Sequence, residues 1–329
     1  MPFASARGIF SCVLPPPVGQ RHNPGMVHPN GLRGRVHVGD LRPGDHACLL
    51  FESDEERASI LRDFVLGGLE AEDKILYLSG AEDPPGPGAL LDECRLPEPP
   101  GGLADRVEVV RLAEFLSGRG QFEPAALLRR LRSAAERSRQ QGYRTLRVAG
   151  DLCAALHDGG GAFSALDVAR LLRYEALLAE EFSSGGALAV CQYDIRRCGP
   201  AALDAFASAH VSSVEADPLV RTAELVVVRT YRPQGLRVEG VVDAEAHPCL
   251  RDALRSVAGV RGDVRLEMSR VEFLDLAGLR LLMTFARARA ARHCTVELAG
   301  LPPHLLQVIT VVGWDRTPGL RLGAAHACR

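Results

Sequence analysis

The chain has 329 residues, 47% of them apolar and 24% charged, a balance that excludes a mainly disordered or collagen-like polymer. No apolar run approaches the ~20 residues needed to cross a bilayer, and 39 basic against 41 acidic residues give a formal charge of −2, so nothing global argues for a phosphate-backbone partner. Lys74 is the only lysine and no glycine loop precedes it, which excludes the lysine-bearing phosphate cradle of P-loop nucleotidases. Nine cysteines without a single C-x-x-C pair argue against both a zinc ribbon and a disulfide framework; most sit in apolar strand-like contexts and read as core residues. The first residues carry no export signal, so a soluble cytoplasmic protein of about two domains is expected.

Residues 1–35, rich in Pro, Gly and His, read as a flexible tail, within which Met26 offers an alternative start. HACLLF (46–51) predicts a strand, and the following segment a helix capped by Ser53 with Glu56 three residues on. KILYLS (74–79) is the next strand, closed by Gly80 and a Pro-rich loop at 84–88. A short helix over 89–94, a strand over 106–112 and a helix over 123–142 follow. In that helix Leu127, Leu128, Leu131 and Ala135 recur at helical spacing and Gly142 marks the stop. Strands at 145–151 and 187–194 flank a helix at 165–182, and PAALDAFASAH predicts one more helix. Strands alternating with helices of this length imply a parallel sheet covered on both faces.

Residues 211–222 read as a linker. Beyond it, AELVVVRTY and GLRVEGVVD lie too close together for a crossover and predict a hairpin. A helix over 244–259, a strand over 263–270, a helix over 276–292, a strand over 294–300 and a helix over 303–314 complete a second α/β domain at 223–323, with a short tail at 324–329.

In an open parallel sheet, ligands bind beyond the carboxyl ends of the strands. Those ends are Glu52-Ser53, Ser79-Gly80, Gly150-Asp151 and Gln192-Tyr193-Asp194. Carboxylates, a phenol and an amide should therefore converge on one rim, able to bind a polar ligand, or a metal through Asp151 and Asp194. The plainer alternative is that these carboxylates cap helices or meet arginines such as Arg196 and Arg197. His46 reads as a structural group, a ligand contact or a pH switch; with Cys48 on the same strand face it forms a two-ligand metal half-site. No metal ligand and no cofactor is assigned.

RLEMSRVEFLDLAGLRLLMTFARARAARHCTVELAGLPPHLLQVITVVGWDR resembles a STAS domain, the fold of anti-sigma-factor antagonists, through Phe273-Leu274-Asp275 and Gly278-Leu279, with Gly240 and Asp243 matching the family's second fingerprint. The resemblance implies an anti-sigma factor or related kinase-like partner docking near Asp243, Asp275, Leu276, Ala277, Gly278 and Arg280. The phosphoacceptor hydroxyl of that family would stand at position 276, where this chain has leucine, followed by Ala277. Neither offers an oxygen, so the phosphorylation switch is not expected at this site. Asp275 also reads simply as a helix N-cap, and Leu276, Leu279, Met283 and Ala286 as one core-facing stripe, leaving Arg280 as an exposed interface candidate.

PGDHACLLFESDEE, GYRTLRVAGDLCAAL, and YEALLAEEF followed by ALAVCQYDIRR resemble three segments of the MEDS domain, named from the dichloromethane-responsive regulator of methylotrophs, over about residues 36–220. That resemblance implies a RecA- or KaiC-like sheet without a working phosphate loop and a role in sensing an unidentified small molecule, with His46, Asp151, Tyr193 and Asp194 at motif positions. Ligand-binding candidates are thus His46, Glu52, Asp151, Tyr193 and Asp194. The expectation is a non-enzymatic regulator: a sensory domain at 36–210 gating a STAS domain at 223–323, with no nucleic-acid or membrane partner and self-association left open. The alternative is a metal-dependent phosphoester or nucleotide hydrolase using the strand-end carboxylates, which would lack the usual nucleophile motifs. A DNA-binding regulator finds no spare segment for a reading head and is set aside.

Overall fold

The computed structural model of the chain describes residues 34–80, 86–96, 103, 105–117, 121–155, 164–183 and 185–323. Residues 1–33 of the expected leading tail, the alternative start at Met26, the short tail at 324–329 and the first part of the Pro-rich loop lie outside the described residues. The chain divides after Ala216 into two compact units.

In the first unit, β1 (Arg35–His37), β2 (His46–Phe51), β3 (Lys74–Ser79), β4 (Val107–Arg111), β5 (Leu146–Asp151), β6 (Ala187–Asp194) and β7 (Ser212–Glu215) form a seven-stranded sheet in the order β1-β7-β2-β6-β5-β3-β4. Every pairing in it is parallel. The central strands are buried on both faces, β6 along its whole length, which is why they read as continuous apolar runs. On one face, α3 (Pro124–Gln140), α5 (Ala165–Phe182) and α6 (Pro200–Ser208) close the core through Leu127, Leu131, Leu171, Leu178 and Phe206. On the other face lie α1 (Asp54–Glu70) and α2 (Pro87–Cys94), which contact each other. There a Cβ on Gly68 of α1 would meet Arg147 and Ile75 within 3.2 Å, so the helix sits directly on β3 and β5. The one-turn α4 (Leu152–Ala155) follows β5. Ser53 caps α1 by accepting from Glu56 N, and Ser164 with Asp167 forms a full capping box on α5.

The second unit carries a six-stranded sheet in the order β13-β12-β11-β10-β9-β8. Its strands are β8 (Val220–Arg221), β9 (Leu225–Tyr231), β10 (Gln234–Val242), β11 (Val264–Leu274), β12 (Val296–Ala299) and β13 (Leu320–Leu322). The β9/β10 pair is the antiparallel hairpin, and β10 to β13 run parallel. The helices α7 (His247–Ser256), α8 (Leu276–Ala290) and α9 (Pro303–Val311) bury Leu250, Leu279, Met283 and Ile309 in its core.

The segment expected as a linker at 211–222 is structured at both ends. Its first half is β7, an interior strand of the first sheet, and its second half holds β8, an edge strand of the second. Polar SSVE gives no apolar alternation, so only pairing with β1 and β2 reveals the strand. No helix among the described residues is long and apolar enough to cross a membrane.

Candidate functional site

The parallel register of the first sheet sets the rim. Phe51 lies opposite Asp194, and Asp151 opposite Gln192, so Glu52, Asp151 and Asp194 do come to one edge. Asp194 is already engaged there. Its carboxylate accepts from Arg196 at Nε (2.8 Å), Nη2 (2.7 Å) and the backbone N (2.9 Å), and Arg196 reaches on to Asp54 at 2.8 Å. Burial pushes the Asp194 carboxyl up, but the Arg196 hydrogen bonds outweigh it and hold it below the usual carboxylate range. The plainer reading, a strand-end carboxylate meeting an arginine, therefore holds for Asp194. Beside it, Gln192 is 1% exposed and neither end of its amide has a hydrogen-bond partner among the described residues. Each unpaired buried group costs about 1–3 kcal/mol, which a ligand carrying a donor and an acceptor would offset. Behind the rim the sulfurs of Cys153 and Cys198 stand 3.1 Å apart.

Two rim candidates are elsewhere. Tyr193 is fully buried, and its hydroxyl donates to Glu175 Oε1 under α5 rather than pointing to the strand end. A residue one step before Asp194 faces the opposite side of the sheet. His46 opens β2, at the far end from Glu52, and its partner is not Cys48. His46 Nε2 meets Glu175 Oε2 at 2.8 Å and Cys191 Sγ at 3.3 Å, Cys191 being the residue that registers with Cys48 across β2/β6. The cysteine that meets His46 is therefore on β6, not the Cys48 of its own strand that the sequence pattern pairs with it.

Glu175, His46, Cys191 and His210 offer donor atoms all within 4.8 Å of one another, and all four are buried. Burial lowers His46. Glu175 lies within the YEALLAEEF segment that resembles the MEDS domain, but nothing there marks it as a ligand over Glu180 or Glu181, and His210, after a helix end, carries no motif.

In the second unit, parallel β10 and β11 end side by side and Asp275 N donates to Val242 O at 3.1 Å, so Asp243 and Asp275 form one corner. Asp243 Oδ1 accepts from Glu245 N (3.0 Å) and Ala246 N (3.2 Å) ahead of α7. Asp275 is the N-cap of α8, accepting from Gly278 N at 2.7 Å, and the same Oδ1 meets His247 Nε2 at 2.8 Å. His247 carries no signal in the sequence; it reads there only as a helix residue before Pro248. Burial raises the Asp275 carboxyl, but the Gly278 N–H and His247 outweigh it and keep it low. Gly278 is buried against Leu274 and Val242, where a Cβ would come within 2.5 Å of the leucine, so it is a packing position and not a surface contact. Leu276 departs from the expected core stripe: it is 49% exposed, beside Phe273 at 50%, while Leu279, Met283 and Ala286 are buried. Ala277 and Arg280 are exposed as well.

Residues 45–211, just over half of the chain, match the family model described as MEDS, methanogen/methylotroph, DcmR sensory domain. Residues 226–322 match the model described as Mlab, STAS domain. No curated protein matches the chain. A sensory domain and a STAS domain in one chain suggest a signalling or regulatory role. With the parallel sheet and the matched segment in agreement, the chain belongs to the MEDS sensory-domain family and carries a STAS domain after it.

Proposed function

We propose that this protein is a non-enzymatic signalling regulator, in which a small polar molecule bound at the rim of the first unit changes the affinity of the STAS domain for an anti-sigma factor or related kinase-like protein. The observation that carries this reading is the corner around Asp275. It retains the capped helix start, yet presents half-exposed Leu276 and Phe273 in place of a hydroxyl. An apolar pair at that position favours constant contact with a partner over release by a phosphate charge. The signal must then enter elsewhere, and the unsatisfied Gln192 amide beside Asp194 supports a polar ligand at the rim. A ligand acts this way only if it favours one arrangement of the protein over another.

The test is affinity capture with the full chain and with Leu276→Arg, followed by titration of the captured partner with and without rim ligands found by native mass spectrometry. A partner lost on Leu276→Arg, and whose affinity shifts with a ligand that Gln192→Leu no longer binds, supports the reading. A partner indifferent to Leu276→Arg, or an affinity unchanged by every genuine ligand, rejects it. Magnesium-dependent turnover abolished by Asp151→Asn would replace it with the hydrolase reading.

A further inference from the structure

We propose that His46, Glu175, Cys191 and His210 bind a zinc-class divalent cation in a closed, four-ligand site at the heart of the first unit. The site is assembled by the fold. His46 and Cys191 project from adjacent strands onto the same sheet face, α5 lays Glu175 over them, and His210 comes in just past the end of α6. Two imidazoles, a thiolate and a carboxylate are the ligand types a tetrahedral zinc site uses.

The distances come close to those between the ligands of one coordinated ion. His46 Nε2 to Glu175 Oε2 is 2.8 Å, both to Cys191 Sγ are 3.3 Å, and His210 Nε2 to Glu175 Oε2 is 3.4 Å. Metal–ligand bonds of about 2.0–2.3 Å at tetrahedral angles set ligand separations of roughly 3.3–3.8 Å, and with all four donor atoms within 4.8 Å of one another, small shifts of the two imidazoles accommodate the ion.

The outer contacts are those that prepare ligands. His210 Nδ1 faces the Phe206 carbonyl at 2.7 Å, and because a carbonyl only accepts, that nitrogen carries the proton. Nε2 is left as the lone-pair atom; it is buried, aimed into the cluster, and makes no hydrogen bond among the described residues. A backbone carbonyl holding one imidazole nitrogen while the other meets the metal is the usual second-layer arrangement. The Tyr193 hydroxyl likewise occupies Glu175 Oε1 and leaves Oε2 to the ion.

Charge points the same way. A dication with one carboxylate, one thiolate and two neutral imidazoles sums to zero, which suits a site whose Glu175 and His210 side chains have no exposure. As the sulfur–metal bond forms, the Cys191 proton leaves to solvent. Four protein ligands leave no open position, so the ion fastens β2, β6, α5 and the end of α6 together and does not activate water.

Metal analysis and cobalt substitution of the untagged full chain test the site. The expected result is one zinc per chain, the intense visible bands of tetrahedral cobalt, and a sulfur-to-cobalt charge-transfer band that Cys191→Ser removes. His210→Gln should lose stoichiometric metal while circular dichroism keeps the helix content, and zinc should raise the melting temperature of wild type but not of either variant. No metal retained by wild type, cobalt bands without thiolate charge transfer, or undiminished binding in folded Cys191→Ser and His210→Gln would each overturn the proposal. So would loss of the metal on Asp151→Asn, which would move the ion to the rim.

Discussion

Replacing Asp275 with alanine removes two interactions with one atom. Oδ1 caps α8 through Gly278 N at 2.7 Å and holds His247 Nε2 at 2.8 Å. The cap contributes about 1 kcal/mol, and the partly exposed hydrogen bond to His247 adds about 0.5–1 kcal/mol, so the substitution should cost about 1.5–2 kcal/mol. For a unit of this size that lowers the melting temperature by roughly 6–16 °C. The assay is built in: the chain has a single tryptophan, Trp314, packed against the core of the second unit, so its fluorescence reports that unit's unfolding. Asp275→Asn keeps an acceptor for Gly278 N and should lose about half as much. Because the folded pKa of Asp275 is depressed, its ionised form contributes stability that is fully present above the unfolded value near ~3.9 and is lost as pH falls through the lower folded value. The gap between wild type and Asp275→Asn should therefore be constant at neutral pH and close in acid. Equal melting of wild type and Asp275→Ala, or a gap that persists through strongly acidic pH, would refute the reasoning.

Gly240 has φ of +92°, and a Cβ there would lie 2.0 Å from the Glu224 carbonyl oxygen. Gly240→Ala should cost about 2–4 kcal/mol through backbone strain and overlap, read as a lower urea midpoint of Trp314 fluorescence. In the first unit Asp73 and Arg147 form a buried pair at 2.7 Å. Asp73→Ala strands the guanidinium and should cost about 3–5 kcal/mol by urea denaturation, whereas the double variant D73A/R147M, which removes both charges, should recover most of it. Burial, aided by the Glu175 charge, pushes the Cys48 thiol up to about 12, while Cys294 is partly exposed. Peptide mapping after mild alkylation should therefore find Cys294 labelled well before Cys48, and equal labelling would contradict the packing of β2.

Local signals carry much of the architecture. Strand and helix alternation reads out a parallel sheet, Ser53 with Glu56 and Asp275 with Gly278 announce their helices, and the close spacing of β9 and β10 dictates a hairpin. These features are short range: a cap, a period or a turn depends on residues within one or two turns of each other. The same range explains the failures. Polar β7 is a strand only because β1 and β2 flank it. Leu276 matches the period of a buried stripe but stands at the first turn of α8, where the chain leaves the sheet and Gly278 takes the packed position against Leu274. Glu175 looks like any glutamate on a helix until α5 is laid over β6, bringing it to His46 from 129 positions away. Amino-acid order decided which segments became helix or strand, whereas the meeting of His46, Glu175, Cys191 and His210 was decided by sheet register and helix placement, because no local pattern encodes contacts between elements this far apart in the chain.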